Sequence, residues 1–172
     1  RSRREGLRDF GACMSPHSAW LILQGMETLP LRMERHLSNT EKIVDFLAAH
    51  PMVSRVGHPL MPTHPSHAIA NQLLKGGARG AGSVFSFDIK GSRAQGRAFI
   101  EALRLFSHLA NVGDSKSLVI HPASTTHFRM TDDALAAAGI GAGTIRLSVG
   151  LEDPADLIDD LKRALRAAEK TA

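Results

Sequence analysis

Among the charged residues of this chain, Arg146 is the one best placed to bind a small anion. It lies in TIRLSVG (144–150), where strand alternation puts Ile145, Leu147 and Val149 on one face and Arg146 and Ser148 on the other. A guanidinium on a strand offers two parallel N–H groups that match a carboxylate bidentately, and a strand holds it more firmly than a loop. Taken alone, the strand favours the plainer alternative of a solvated arginine with no task. The stretch Leu105 to His127, LFSHLANVGDSKSLVIHPASTTH, adds the polar groups that a site would need. Asn111 can both donate and accept through its amide. Gly113, Asp114 and Ser115 form a tight turn, and Ser124, Thr125, Thr126 and His127 gather hydroxyls and an imidazole after Pro122. The two pieces read as one wall of a small-molecule site in which Arg146 holds a carboxylate. The competing reading is a polar loop whose hydroxyls bond nearby backbone.

Other candidate chemistry is weaker. His121 and His127 have the right side chain for acid–base work, but a lone histidine beside a strand is more often a hydrogen-bonded structural residue. No Ser-His-Asp order or nucleophile elbow is present. His58, His64 and His67 fall within ten residues, yet their spacing matches no established helical metal site and no nearby Cys, Asp or Glu completes a shell, so no metal is expected. Gly76, Gly77, Gly80 and Gly82 are followed by a strand where a phosphate loop needs a helix N-terminus.

The composition is that of a soluble globular protein: 172 residues, 43% hydrophobic, 22% charged, net charge +4. The basic cluster Arg1, Arg3, Arg4 and Arg8 has no aromatic interleaving, so a nucleic-acid arm is not expected. No membrane span or signal peptide is expected either. The single Cys13 excludes an internal disulfide and fits a reducing compartment, read as the cytoplasm. The opening residues are polar and do not include an initiating Met, as expected for a chain cut from something longer.

The elements that must position these residues follow from capping and periodicity. Residues 1–15 read as a loop, with Ser15-Pro16 opening a short buried helix over His17 to Met26 that Gly25 ends. A long helix is expected from Thr28 to His50, with Leu29, Met33, Leu37, Val44 and Leu47 at helical spacing. Val53 to Val56 is a short strand, and Ser66 to Leu74 a helix. Ser83 to Lys90 is the cleanest strand, with Phe85, Phe87 and Ile89 on one face. Ser92 caps a helix to Leu103, and Thr131 precedes another short one. Asp153-Pro154 opens the last helix, whose apolar stripe is Leu157, Ile158, Leu161, Ala164, Leu165 and Ala168. The sum is an α/β or α+β two-layer domain, a small sheet with helices mainly on one face.

Three stretches carry a resemblance: FGACMSPHSAWLILQGMETLPLRMERH, LFSHLANVGDSKSLVIHPASTTH and GTIRLSVGLEDPADLIDDLKRAL. In order and spacing they resemble the C-terminal part of the Cys/Met-metabolism enzymes that use pyridoxal phosphate, from about Gly6 to Leu165. Asn111-Val112-Gly113 stands where relatives of the cystathionine γ-synthase and γ-lyase type tend to have Ser-Leu-Gly, and it favours the O-acetylhomoserine sulfhydrylase branch.

The resemblance implies the small C-terminal domain of fold-type I pyridoxal-phosphate transferases. Residues 1–27 would be a remnant of the large-domain side, 28–50 an interdomain helix and 51–172 the small domain. It implies substrate-binding roles for Arg146 on the α-carboxylate, Asn111 beside it and Thr126 on the wall. The implied reaction is O-acetyl-L-homoserine plus sulfide to L-homocysteine plus acetate, in methionine and cysteine biosynthesis, with the cofactor as electron sink. The Schiff-base lysine would lie upstream in a missing N-terminal domain. This chain alone is therefore expected to be inactive, to have no catalytic residue and to bind no cofactor covalently. The implied partners are an amino-acid substrate and further copies of the parent, as a homotetramer. The alternatives are a relative of the cystathionine γ-synthase or γ-lyase type, a stand-alone carboxylate-binding module without chemistry, and an interaction domain that docks through the long helix.

Overall fold

The computed structural model describes residues 1–171, the side chain of Asp132 excepted. The chain divides into two compact units, Arg1–Met33 and Glu34–Ala172. The first unit holds a π-helical turn, Ser2–Leu7, then α1, Arg8–Phe10, closed by Gly11 at φ 65°. It continues with α2, Pro16–Glu27, where Ser15 Oγ accepts the Ser18 amide at 3.1 Å as a cap. Two expectations change here. Residues 2–10 are helical and not a loop, and Gly25 lies inside α2 and does not end it.

A third expectation also fails, because α2 buries none of its residues: Trp20 is 55% exposed, and Leu21, Ile22 and Leu23 are exposed with it. Apolar composition predicts burial only where a covering surface exists, and this unit supplies none for α2.

Helix α3, Leu29–Ala49, runs across the boundary between the units. In the second unit the chain continues through β1 (Val53–Gly57), α4 (His67–Leu73), β2 (Val84–Ile89), α5 (Arg93–Ala102), β3 (Ser107–His108), β4 (Leu118–Ile120), α6 (Asp132–Ala137), β5 (Thr144–Ser148) and α7 (Pro154–Glu169). The sheet order is β1-β2-β5-β4-β3, antiparallel except for the β3–β4 pair. β5, the strand that carries Arg146, is therefore the central one.

Register explains which side chains enter the core. Val56 pairs with Phe87, Phe87 with Ile145, Phe85 with Leu147, and Leu147 with Val119. Residues two apart share a face, so this apolar ladder turns one side of the sheet towards α3, α5 and α7. Those helices supply Ile43, Val44, Leu47, Phe99, Leu157, Leu161, Ala164, Leu165 and Ala168 to the same cluster. Phe87 and Phe99 meet edge to face at 5.8 Å, the favoured aromatic geometry. The observed architecture is thus the expected mixed α/β one, a five-stranded sheet with α3, α5 and α7 on its core face.

Capping fixes where the helices begin. Ser92 and Gln95 form a reciprocal capping box at α5. Asp153 accepts the Ala155 amide at 2.8 Å, with Pro154 at the first position of α7. Asp160, about two turns further along α7 and buried, ties down the turn that leaves α5. Its carboxylate accepts the amides of Arg104 at 3.0 Å, Leu105 at 2.8 Å and Phe106 at 3.2 Å, and it pairs with Arg163.

Helix α3 departs from its expected stripe. The face it buries is His36, Asn39, Thr40, Ile43, Val44 and Leu47, while Leu29 is exposed. The spacing is helical, but the buried face opens on the polar His36 and Asn39 because these meet main-chain carbonyls and not side chains. Among the described residues, no helix is long and apolar enough to cross a membrane.

Candidate functional site

The face of the sheet opposite the core carries Arg146, while Asn111 and Thr126 lie in loops. Arg146 pairs with Ser86 on one side and Ile120 on the other. The alternation read from the sequence holds: Ile145, Leu147 and Val149 are fully buried in the core, and Arg146 is half-buried on the other face. Its Nη2 donates to the main-chain carbonyl of Asn111 at 3.3 Å. Among the described residues no carboxylate pairs with it, whereas Arg55, Arg79 and Arg163 each have an acidic partner. A rigidly mounted guanidinium bonded only to a neutral carbonyl keeps both its charge and several donors for an incoming anion.

Asn111 meets Arg146 through its backbone and not through its amide. Its Oδ1 accepts the Val112 amide at 2.8 Å, and its Nδ2 donates to Asp114 Oδ2 at 3.4 Å. Asp114 Oδ1 in turn accepts the Lys116 amide at 3.0 Å, closing the turn in which Gly113 takes φ 72°. Thr126 is exposed, and its hydroxyl lies 2.8 Å from Nδ1 of His127; among the described residues no hydrogen bond joins it to Arg146. The neighbouring hydroxyls turn inward on their own loop, with Thr125 Oγ1 donating to the His121 carbonyl at 2.8 Å.

His121 is a buried strut beneath this loop. Nε2–H donates to the Ala142 carbonyl at 2.7 Å, which leaves Nδ1 to accept from Ser124 Oγ at 2.8 Å. Burial holds its pKa below the usual histidine value, and the nearby Arg93 and Arg97 push the same way against the raising effect of the carbonyl bond. The ring is thus held neutral as a support, which is the structural alternative raised from the sequence.

His58 and His67 are support groups as well. His58 donates through Nε2 to the Gly82 carbonyl at 3.2 Å, and its Nδ1 accepts the Leu60 amide at 3.1 Å. His67 Nδ1 donates to the Pro59 carbonyl at 2.7 Å; its Nε2 meets Asn71, whose Oδ1 caps the Ala78 amide. Among the described residues no group of three or more His, Cys, Asp and Glu could hold a metal.

Sequence reasoning missed the polar network that fixes the Arg146 strand to the Asn111 loop. Ser117 is buried, and its amide and hydroxyl donate to Glu152 Oε1 at 2.6 Å and Oε2 at 2.8 Å. The same hydroxyl accepts the Gly150 amide at 2.8 Å, and the Leu151 amide donates to the Ser115 carbonyl at 2.9 Å. Gly150 permits this approach, since a Cβ there would lie 2.4 Å from Glu152 Oε2 and 2.5 Å from the Ser115 carbonyl oxygen.

From the other side, α3 grips the 149–152 backbone. His36 Nδ1 donates to the Val149 carbonyl at 2.6 Å, and Asn39 Nδ2 donates to the carbonyls of Gly150 at 3.0 Å and Glu152 at 2.8 Å. Arg35 adds bonds to the Leu151 and Glu152 carbonyls. The only sequence signal was a run of polar residues at core spacing on α3.

All six lysines, Lys42, Lys75, Lys90, Lys116, Lys162 and Lys170, are exposed. A Schiff-base lysine works from a desolvated pocket or beside another cation. Arg146 thus offers donors of the kind a carboxylate takes, and no described lysine is buried as a Schiff-base lysine would be.

A sequence profile described as Cys/Met metabolism PLP-dependent enzyme matches residues 2–166. An O-acetyl-L-homoserine sulfhydrylase from Leptospira meyeri is 48% identical over 166 residues, which are 96% of this chain and 37% of the relative. A crystal structure assigned as an O-acetylhomoserine (thiol)-lyase from Campylobacter jejuni, with an N′-pyridoxyl-lysine-5′-monophosphate, superposes with a TM-score of 0.85 at 43% identity, covering 96% of this chain and 39% of that one. Cystathionine gamma synthase from Xanthomonas oryzae pv. oryzae in complex with cystathionine gives 0.83 at 42%, covering 95% and 41%. The chain therefore spans about two-fifths of the length of the proteins it matches. With the profile covering nearly every residue, the chain belongs to the Cys/Met metabolism PLP-dependent enzyme family.

Proposed function

We propose that this chain is the C-terminal part of a pyridoxal-phosphate-dependent O-acetylhomoserine sulfhydrylase and supplies the wall that binds the substrate's α-carboxylate. One observation carries the reading. Arg146 is fixed on the central strand, half-buried and without an acidic partner among the described residues. In this reading its guanidinium binds the amino-acid carboxylate, with the Asn111 carbonyl setting its orientation and Thr126 on the same wall. The cofactor supplies the electron sink when bound in the whole enzyme; the Schiff-base lysine comes from residues outside this chain. The whole enzyme acts as a homo-oligomer on O-acetyl-L-homoserine and sulfide, releasing L-homocysteine and acetate.

The similarity to a sulfhydrylase at 48% supports that branch, and Asn111 supports it as well. The similarity to cystathionine gamma synthase makes that reaction the second reading. The test is to purify the whole protein that carries this chain and offer it O-acetyl- or O-succinyl-L-homoserine with sulfide or with cysteine. Homocysteine and acetate formed from the acetyl ester and sulfide is the expected outcome. Cystathionine as the main product would move the assignment to the second reading, and neither product would remove both.

A further inference from the structure

We infer that Glu152 is a positioning residue for the carboxylate site, acting through Ser117 on the loop whose Asn111 carbonyl holds Arg146. The inference rests on the carboxylate-wall reading above. Asn111 is exposed, and its loop is not part of the sheet, so the place of its carbonyl must be set by whatever anchors residues 111–117.

The anchors converge on one carboxylate. Glu152 takes both donors of Ser117, the amide at 2.6 Å and the hydroxyl at 2.8 Å. The hydroxyl also accepts the Gly150 amide, so a donated and an accepted bond together fix its rotamer. Two residues earlier, the Ser115 carbonyl is held by Leu151, the neighbour of Glu152. The Asp114 turn then links that anchor back to Asn111, through the Lys116 amide at 3.0 Å and the Asn111 side-chain amide at 3.4 Å. Ser117 also precedes Leu118, which pairs with Ser148, so the same contact sets where β4 enters the sheet beside the Arg146 strand. A carboxylate accepting two hydrogen bonds from one buried serine holds the loop more firmly than a neutral acceptor would, because charge-assisted bonds are roughly twice as strong. The Asn39 and Arg35 bonds fix the backbone of Glu152 itself, so the post does not move.

A support residue that mattered only for stability would weaken all ligands alike or merely lower the amount of folded enzyme. A positioning residue weakens ligands through the group that Arg146 reads. The test uses the whole enzyme with Glu152→Ala, Glu152→Gln and Ser117→Ala, and compares competitive inhibition by L-norvaline with that by L-norvalinamide, which lacks the carboxylate.

The expected result for Glu152→Ala is about a five- to tenfold rise in KM and in the L-norvaline Ki, larger than any loss in kcat, with the amide's Ki shifted less than about twofold. Glu152→Gln should recover part of that loss. In an Arg146→Lys background, Glu152→Ala should add less than about twofold, because both act through one contact. Equal losses for the two inhibitors, or full additivity in the double variant, would overturn the inference. Should Glu152→Ala fail to fold, Ser117→Ala removes a single hydroxyl and faces the same criteria. If Arg146→Lys itself leaves L-norvaline binding intact, the carboxylate-wall reading falls. If Arg146→Lys weakens it and the Glu152 and Ser117 variants do not, only the positioning role falls.

Discussion

The imidazole of His121 rests directly on the backbone of Gly96: a Cβ added at position 96 would lie 2.4 Å from Nε2 and 2.6 Å from Cε1. Neither side can yield cheaply. The ring is buried and held by the Ala142 carbonyl and Ser124 Oγ, and Gly96 lies within α5. Gly96→Ala would gain about 1 kcal/mol of helix propensity. Overpacking costs about 1–3 kcal/mol, and displacing a hydrogen-bonded ring adds about 1 kcal/mol more. Net destabilisation by about 1–3 kcal/mol is expected as a lower urea midpoint, against the usual direction for glycine to alanine in a helix. A raised midpoint would show that the ring moves freely.

The buried histidines make stability depend on pH. Burial lowers the folded pKa of both His121 and His58 from 6.5. Well above pH 6.5 both rings are neutral in the folded and unfolded states alike, so their contribution is constant there. Below 6.5 the unfolded chain takes up protons that the folded chain refuses, and stability falls until the lowered folded values are passed. Urea unfolding at about pH 7.5, 6.5 and 5.5 should show a loss in the last interval and little from these rings in the first. NMR titration of the two imidazoles tests the cause, since a folded value at or above 6.5 would contradict it.

Arg146→Lys separates charge from geometry. Lysine keeps the positive charge and loses the planar fork, so two aligned hydrogen bonds become one poorly oriented contact. A charge-assisted bond contributes about 1.5–3 kcal/mol, so kcat/KM of the whole enzyme should drop about tenfold to a hundredfold. L-norvaline should weaken as an inhibitor, and L-norvalinamide should be nearly unaffected. Stability should change little, because the side chain lies on the sheet face opposite the core. Equal weakening of the two inhibitors would remove Arg146 as the carboxylate anchor.

The exposed lysines predict the behaviour of this chain taken alone. With all six in solvent, none is held in a pocket that would retain pyridoxal phosphate as an imine. Incubation with the cofactor, borohydride reduction and peptide mapping should give at most scattered, substoichiometric labelling. A stoichiometric adduct on one lysine would mean that the chain holds a cofactor site of its own.

The features legible in the sequence are those set by near neighbours. The alternation of Phe85, Phe87 and Ile89 placed one face of β2 in the core, and the same period put Arg146 on the opposite face from Ile145 and Leu147. Ser15, Ser92, Thr131 and Asp153 announced the helix starts they cap, because a cap acts within three residues. What depended on distant partners was not legible. The apolar residues of α2 specify a helix, but whether they are covered is decided by another surface. His36 and Asn39 sit at core spacing as polar residues because the carbonyls they serve lie more than a hundred positions away at Val149, Gly150 and Glu152. Asn111 offered its amide in the sequence, yet only the closed loop turned that amide onto Val112 and Asp114 and left the carbonyl to Arg146. Glu152 gains its role only when the fold brings Ser117 within hydrogen-bonding distance of both its oxygens. Local sequence chooses backbone conformation and side-chain face, whereas hydrogen-bond partners across the chain exist only after the sheet has set its register.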